Sequence, residues 1–150
     1  MMKQERFFNI GKEMYAAFDA GEFDKAVKLA DEYLRLAASK KTNWNYGNAI
    51  HHAHLILGRI SLKKGLMEQA KKHLILAGKT PGSPQLNSFG PNMALAKALL
   101  ENGEKNAVLE YLNLCKIFWG KLFSTIKIWK WKQAIRKGQI PDFRANLFYK

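Results

Sequence analysis

Three glycines constrain this chain more than any other feature: Gly21, Gly65 and Gly103 each separate two apolar stripes of helical period. Before Gly21, the residues Phe7, Ile10, Met14 and Phe18 recur at three- and four-residue steps. After it, Phe23, Ala26, Val27, Ala30, Tyr33, Leu34 and Ala37 resume the stripe. This spacing gathers apolar side chains on one helix face, and glycine readily takes the left-handed conformation that ends a helix in a tight turn. The pattern repeats around Gly65, with Ala49, Ala53, Leu57 and Ile60 ahead of it and Met67, Ala70, Leu74 and Ala77 behind. It returns around Gly103, between Met93–Leu100 and the series Val108, Tyr111, Leu112, Cys115 and Trp119. No convincing strand is found, so the chain reads as all-α.

The breaks set the organisation. A polar stretch, Ser39-Lys40-Lys41-Thr42-Asn43, divides the first hairpin from the second, and Thr80-Pro81-Gly82-Ser83-Pro84 is the strongest interruption. Pro91 suits the first turn of a new helix. A last helix, roughly Lys121 to Arg136, ends before Lys137-Gly138 and Pro141. About seven helices in one domain, 1–150, are expected: hairpins at about 2–38, 44–79 and 91–119, then a helix and tail at 120–150. In the long connection 80–91, Phe89 is expected to plug the core while its polar neighbours cap the helix near Pro91.

Composition narrows the function classes. Hydrophobic residues make up 47% of the chain and charged residues 25%, which suits a packed core rather than disorder. The lone cysteine, Cys115, cannot form an internal disulfide, and its apolar neighbours mark it as a buried small hydrophobe. No apolar run approaches the ~18 residues of a membrane span, and Phe7 to Glu13 is too short and polar for a signal-peptide core. A cytoplasmic location is the expectation. Gly-rich phosphate loops, paired catalytic carboxylates and nucleophile–base arrangements are missing, so neither an enzyme nor a cofactor is expected. His51, His52 and His54 crowd together, but no carboxylate or cysteine adjoins them to complete a metal site, and a structural role is expected.

The hairpin around Gly65 resembles the tetratricopeptide repeat. Leu57-Gly58 stands at the family's Leu-Gly pair, where two helices approach closely. Gly65 takes the turn, Ala70 and Ala77 the small positions, Leu74 the large one, and Pro81 lies one place before the closing proline. The first and third hairpins keep the size pattern but lack the Leu-Gly pair. Gly21 and Gly65 lie 44 residues apart, and Gly65 and Gly103 38, both wider than the ~34-residue family period. The whole is similar to small bacterial tetratricopeptide-like proteins. The resemblance implies a groove lined by the first helix of each hairpin, with Tyr15, Arg59 and Lys97 at equivalent positions and His52, Lys63 and Met93 beside them. A partly basic, partly aromatic groove suits an extended, acidic protein segment. The Lys and Asn set that some members use to clamp dicarboxylate tails is not found.

Net charge is +13, and residues 116–150 carry nine Lys/Arg against Asp142 alone. Phe118, Leu122, Ile126 and Trp129 trace a stripe expected to face inward, making this helix a cap with an outer basic face of Lys127, Lys130, Lys132, Arg136 and Lys137. Trp131 falls off that stripe, between two lysines, and is expected with the basic surface. Such a surface also admits nucleic-acid phosphates or an anionic membrane as partners, and exposed aromatics admit a homodimer.

Overall fold

A computed structural model describes residues 3–150, so the expected start of the first hairpin at residue 2 lies outside the described residues. Eight α-helices follow in order among the described residues: α1 (Lys3–Asp19), α2 (Phe23–Ala38), α3 (Tyr46–Lys63), α4 (Met67–Gly78), α5 (Pro84–Phe89), α6 (Ala94–Glu101), α7 (Lys105–Phe118) and α8 (Leu122–Arg136). A 3-10 turn, Arg144–Leu147, closes the chain. The all-α expectation holds. The extra helix, α5, is a single short element inside the 80–91 connection. Ser83 starts it by accepting from the Leu86 N–H at 3.0 Å, and Pro84 fits its first position.

The three glycine turns share one construction. Gly21, Gly65 and Gly103 sit at φ of 78°, 75° and 81°. In each, the next residue's N–H reaches a carbonyl five residues back: Glu22 to Ala17 (2.9 Å), Leu66 to Ser61 (2.9 Å) and Glu104 to Leu99 (3.0 Å). These bonds satisfy carbonyls that the helix end would otherwise leave open. Gly138 repeats the construction after α8, with Gln139 reaching Ala134 at 2.9 Å. Among the described residues, no second α-helix follows it, only the 3-10 turn. Residues beyond Gly138 turn back over the body instead.

Two apolar clusters form the interior, and α3 contributes to both. Ala49, Ala53, Ile56 and Ile60 join α1 and α2, while Leu55 joins α4, α6, α7 and α8. Gly58 meets its expectation of close approach, because a Cβ there would lie 2.4 Å from Leu95 Cδ2 and 3.1 Å from His73 Cβ. Cys115 is fully buried, and burial pushes its thiol pKa far above the ordinary range.

Two expectations for the outer parts fail. Phe89 does not plug the core; it is more than half exposed and packs on Tyr149 at 5.5 Å between ring centroids. The α8 helix presents the opposite face from the one expected. Ser124, Ile128, Trp131 and Ile135 are buried, while Leu122, Phe123, Ile126 and Trp129 point to solvent. Both sets have helical spacing, so periodicity alone cannot choose between them. Packing chooses: Trp131 lies 5.0 Å edge-on to Phe143 of the tail and 6.0 Å from Trp119. Ser124 Oγ donates to the Trp119 carbonyl at 2.5 Å, which fixes the short link between α7 and α8. Trp131 is therefore core, not basic surface.

Gly47 is a sharper constraint than the turn glycines. A Cβ there would sit 1.8 Å from the Gly82 carbonyl oxygen, a backbone atom that cannot swing away. At Gly21, by contrast, a Cβ would meet nothing within 4 Å, and only the left-handed φ opposes it. Gly47→Ala is expected to cost about 3 kcal/mol or more through overpacking, and Gly21→Ala about 1 kcal/mol through backbone strain. Urea denaturation followed by circular dichroism measures both; equal costs would contradict the distinction.

Candidate functional site

A cavity lies between α1 and α3. Its volume is about 540 Å³, with Phe8, Lys12, Tyr15 and Asp19 supplied by α1, Trp44 and Asn45 by the link before α3, and Asn48 and His52 by α3. Tyr33 of α2, Gln85 of α5 and Lys150 also reach it. Helical spacing explains the α1 contribution, since Phe8, Lys12, Tyr15 and Asp19 fall at steps of four, three and four.

The cavity floor is polar and tied together. Asn45 Nδ2 donates to the Phe7 carbonyl at 3.0 Å and to Tyr33 Oη at 3.2 Å. Asn48 Nδ2 donates to Asn45 Oδ1 and to Gln85 Oε1, both at 3.1 Å, and Ser83 Oγ donates to Asn48 Oδ1 at 2.5 Å. Tyr15 Oη and His52 Nδ1 pair at 2.6 Å. Burial holds the His52 imidazole well below its ordinary pKa and raises the Tyr15 phenol, so this pair is neutral. Among the described residues, no buried side-chain nitrogen or oxygen lacks a partner.

The walls have a different chemistry. Trp44, half exposed, stacks on Phe8 with ring centroids 5.3 Å apart and an interplanar angle of 20°. At the other side Lys150 Nζ bonds Asp19 Oδ2 at 3.0 Å and stands 5.4 Å above the Tyr15 ring. Lys12 completes the rim. The site thus joins an aromatic shelf, a rigid amide and hydroxyl floor, and two ammonium groups, one already shared with a carboxylate.

Of the groove residues expected from the sequence, the structure brings Tyr15 and His52 together in this cavity, sets Arg59 and Lys63 over one ring, Phe18 of α1, and places Met93 and Lys97 elsewhere. Met93 is fully buried, and its N–H donates to the Asn146 carbonyl at 2.7 Å, so it offers no surface. Arg59 lies half-buried with its guanidinium carbon 4.3 Å over the Phe18 ring, and Lys63 is exposed 5.7 Å from the Phe23 ring. Lys97 is half-exposed on α6, away from the cavity. The tail accounts for the burial of Met93. Asn146 Nδ2 donates to the carbonyls of Pro91 and Phe89, and Asn92 Nδ2 donates to the Tyr149 carbonyl at 2.5 Å, so the tail covers the start of α6. Of the basic set, Lys127, Lys130, Arg136 and Lys137 are exposed, while Lys132 bonds Asn113 of α7.

Sequence reasoning missed Phe8, Lys12, Trp44, Asn45, Asn48 and Lys150. A signal existed for two of them, because Asn45 and Asn48 open an otherwise apolar helix face and buried amides need partners. Lys150 lies 131 residues from Asp19, a separation no local pattern spans.

The other histidines are structural. His51 donates from Nδ1 to the Ala77 carbonyl at 3.1 Å, which leaves Nε2 to accept the Asn92 N–H, also at 3.1 Å. Full burial lowers its pKa to about 4. His54 and His73 pair through Nδ1 atoms 3.1 Å apart, one ring donating to the other, and burial brings His54 to about 4. No group of three or more His, Cys, Asp or Glu residues placed to hold a metal occurs among the described residues.

Because these folded-state values lie below the ordinary 6.5, the unfolded chain binds more protons between about pH 6.5 and 4. Stability is therefore full above about pH 6.5 and falls as pH drops toward 4, by a few kcal/mol for His51 alone. Urea unfolding across this range checks it; a flat profile would be inconsistent with a neutral, doubly bonded His51.

Compared with family models, with curated proteins and with solved structures, the chain matches none, and the chemistry of the cavity is the guide to function.

Proposed function

We propose that the chain is a helical-repeat binding module that takes up an extended acidic protein segment in the cavity between α1 and α3. The observation that carries this reading is the pairing of opposite demands in one site. Phe8 and Trp44 offer a flat apolar surface, while Lys12 and Lys150 offer positive charge within the same 540 Å³. A segment with an apolar or aromatic side chain beside a carboxylate answers both. Its carboxylate would take the place of Asp19 at Lys150, a charge-assisted exchange.

The fixed floor supports binding rather than bond-making. Tyr15, Tyr33, His52 and the three amides are held by one another, so the site is formed in advance and loses little side-chain freedom on occupation. Amide oxygens and nitrogens of this kind suit a peptide backbone. The resemblance to tetratricopeptide hairpins is in keeping with this use, since that family holds partner segments against the first helices of its hairpins.

The test is a peptide array of varied charge. Acidic peptides with a neighbouring aromatic residue are expected to be retained, and Lys12→Glu with Trp44→Ala is expected to weaken them about tenfold or more. Retention indifferent to peptide charge, or unchanged in the double variant, would overturn the reading. Lys12 and Trp44 are both surface-accessible, so the variant is expected to keep its helical circular dichroism.

A further inference from the structure

The outward face of α8 is an apolar ridge with no cover. Phe123 is 84% exposed, Leu122 71% and Trp129 60%, and Ile126 lies among them at helical spacing. This face is opposite the buried stripe of Ile128, Trp131 and Ile135, so it belongs neither to the core nor to the cavity between α1 and α3. Exposed apolar side chains scattered singly need no explanation, but four large ones on a single helix face do.

Charge identifies what can cover it. At 3.6 residues per turn, Lys130 stands between Ile126 and Phe123, Lys127 lies beyond Phe123 on one side, and Lys132 and Arg136 lie beyond Trp129 on the other. No Asp or Glu occurs between Lys116 and Pro141. A second copy pairing through this ridge would set these cations against their own equivalents, with no carboxylate on the helix to offset them. A nucleic acid would satisfy the lysines and leave the ridge in water. An apolar strip flanked on both sides by cations, with a tryptophan at its edge, matches the boundary of an anionic bilayer, where acyl chains lie beneath negative headgroups.

We infer that the exposed face of α8, formed by Phe123, Ile126 and Trp129 together with Lys127 and Lys130, is a docking surface for an anionic membrane. The helix lies flat on the bilayer with its ridge among the upper acyl groups, and the rest of the chain remains in water. No helix among the described residues is long and apolar enough to cross a membrane, so this attachment is peripheral. The cavity between α1 and α3 stays free for its own ligand.

The experiment is co-sedimentation of the full chain with vesicles of phosphatidylcholine and phosphatidylserine in equal parts, and with vesicles of phosphatidylcholine alone. Binding to the mixed vesicles is expected, weakened by added salt and at least ~tenfold stronger than to the neutral ones. Phe123→Ser with Trp129→Ser, both at solvent-facing positions, is expected to reduce mixed-vesicle binding ~tenfold or more while leaving helical content unchanged. Lys127→Glu with Lys130→Glu is expected to abolish the preference for phosphatidylserine. Absence of binding to the mixed vesicles overturns the proposal, as does binding that survives loss of Phe123 and Trp129. Two further outcomes also overturn it: a stable dimer in which the ridge is protected, or random-duplex binding that exceeds vesicle binding and ignores the Ser variant.

Discussion

Asn92 is the junction on which the arrangement of this chain depends. Its N–H donates to His51 of α3, its Oδ1 accepts from the Ala94 N–H at the start of α6, its carbonyl accepts from Tyr111 of α7, and its Nδ2 holds the Tyr149 carbonyl of the tail. One residue, 3% exposed, therefore ties three helices and the chain's end together. His51 can serve this junction only while neutral, because it must donate at one ring nitrogen and accept at the other. Burial keeps it so. The connection from 80 to 93 is long because it delivers this residue, and through α5 it also brings Gln85 to the cavity floor.

The tail has two consequences that follow from this anchorage. By lying over the start of α6 it removes Met93 from the surface and confines the open part of the site to α1 and α3. By placing Phe143 on Trp131 it settles which face of α8 turns inward. The same few residues thus shape the cavity at one end of the chain and expose the basic, apolar helix at the other.

The cavity and the α8 ridge differ in kind. The cavity is preformed, with its buried polar atoms partnered within the chain, and it is lined by two lysines and an aromatic shelf. The ridge consists of exposed apolar side chains with Lys130 among them. It depends on apolar area and on the field of surrounding cations, which suits a fluid surface better than a shaped one.

The sequence by itself determined the helices, their turns and much of the interior. Gly21, Gly65 and Gly103 sit at the left-handed positions their spacing implied, and the stripes Phe7–Ile10–Met14 and Val108–Leu112–Cys115 are buried as periodicity required. Those features are local, governed by backbone sterics and by which side chains share a helix face. Tertiary structure alone decided the orientation of α8, because Leu122–Ile126–Trp129 and Ile128–Trp131–Ile135 are equally periodic and only contact with Trp119 and Phe143 separates them. It also decided the site. Tyr15 and His52 were named from the tetratricopeptide resemblance, but the shelf at Trp44, the amide floor and the Lys150–Asp19 pair arise from contacts across distant parts of the chain, and those depend on how the tail and the 80–93 connection fold back over helices that local periodicity had already formed.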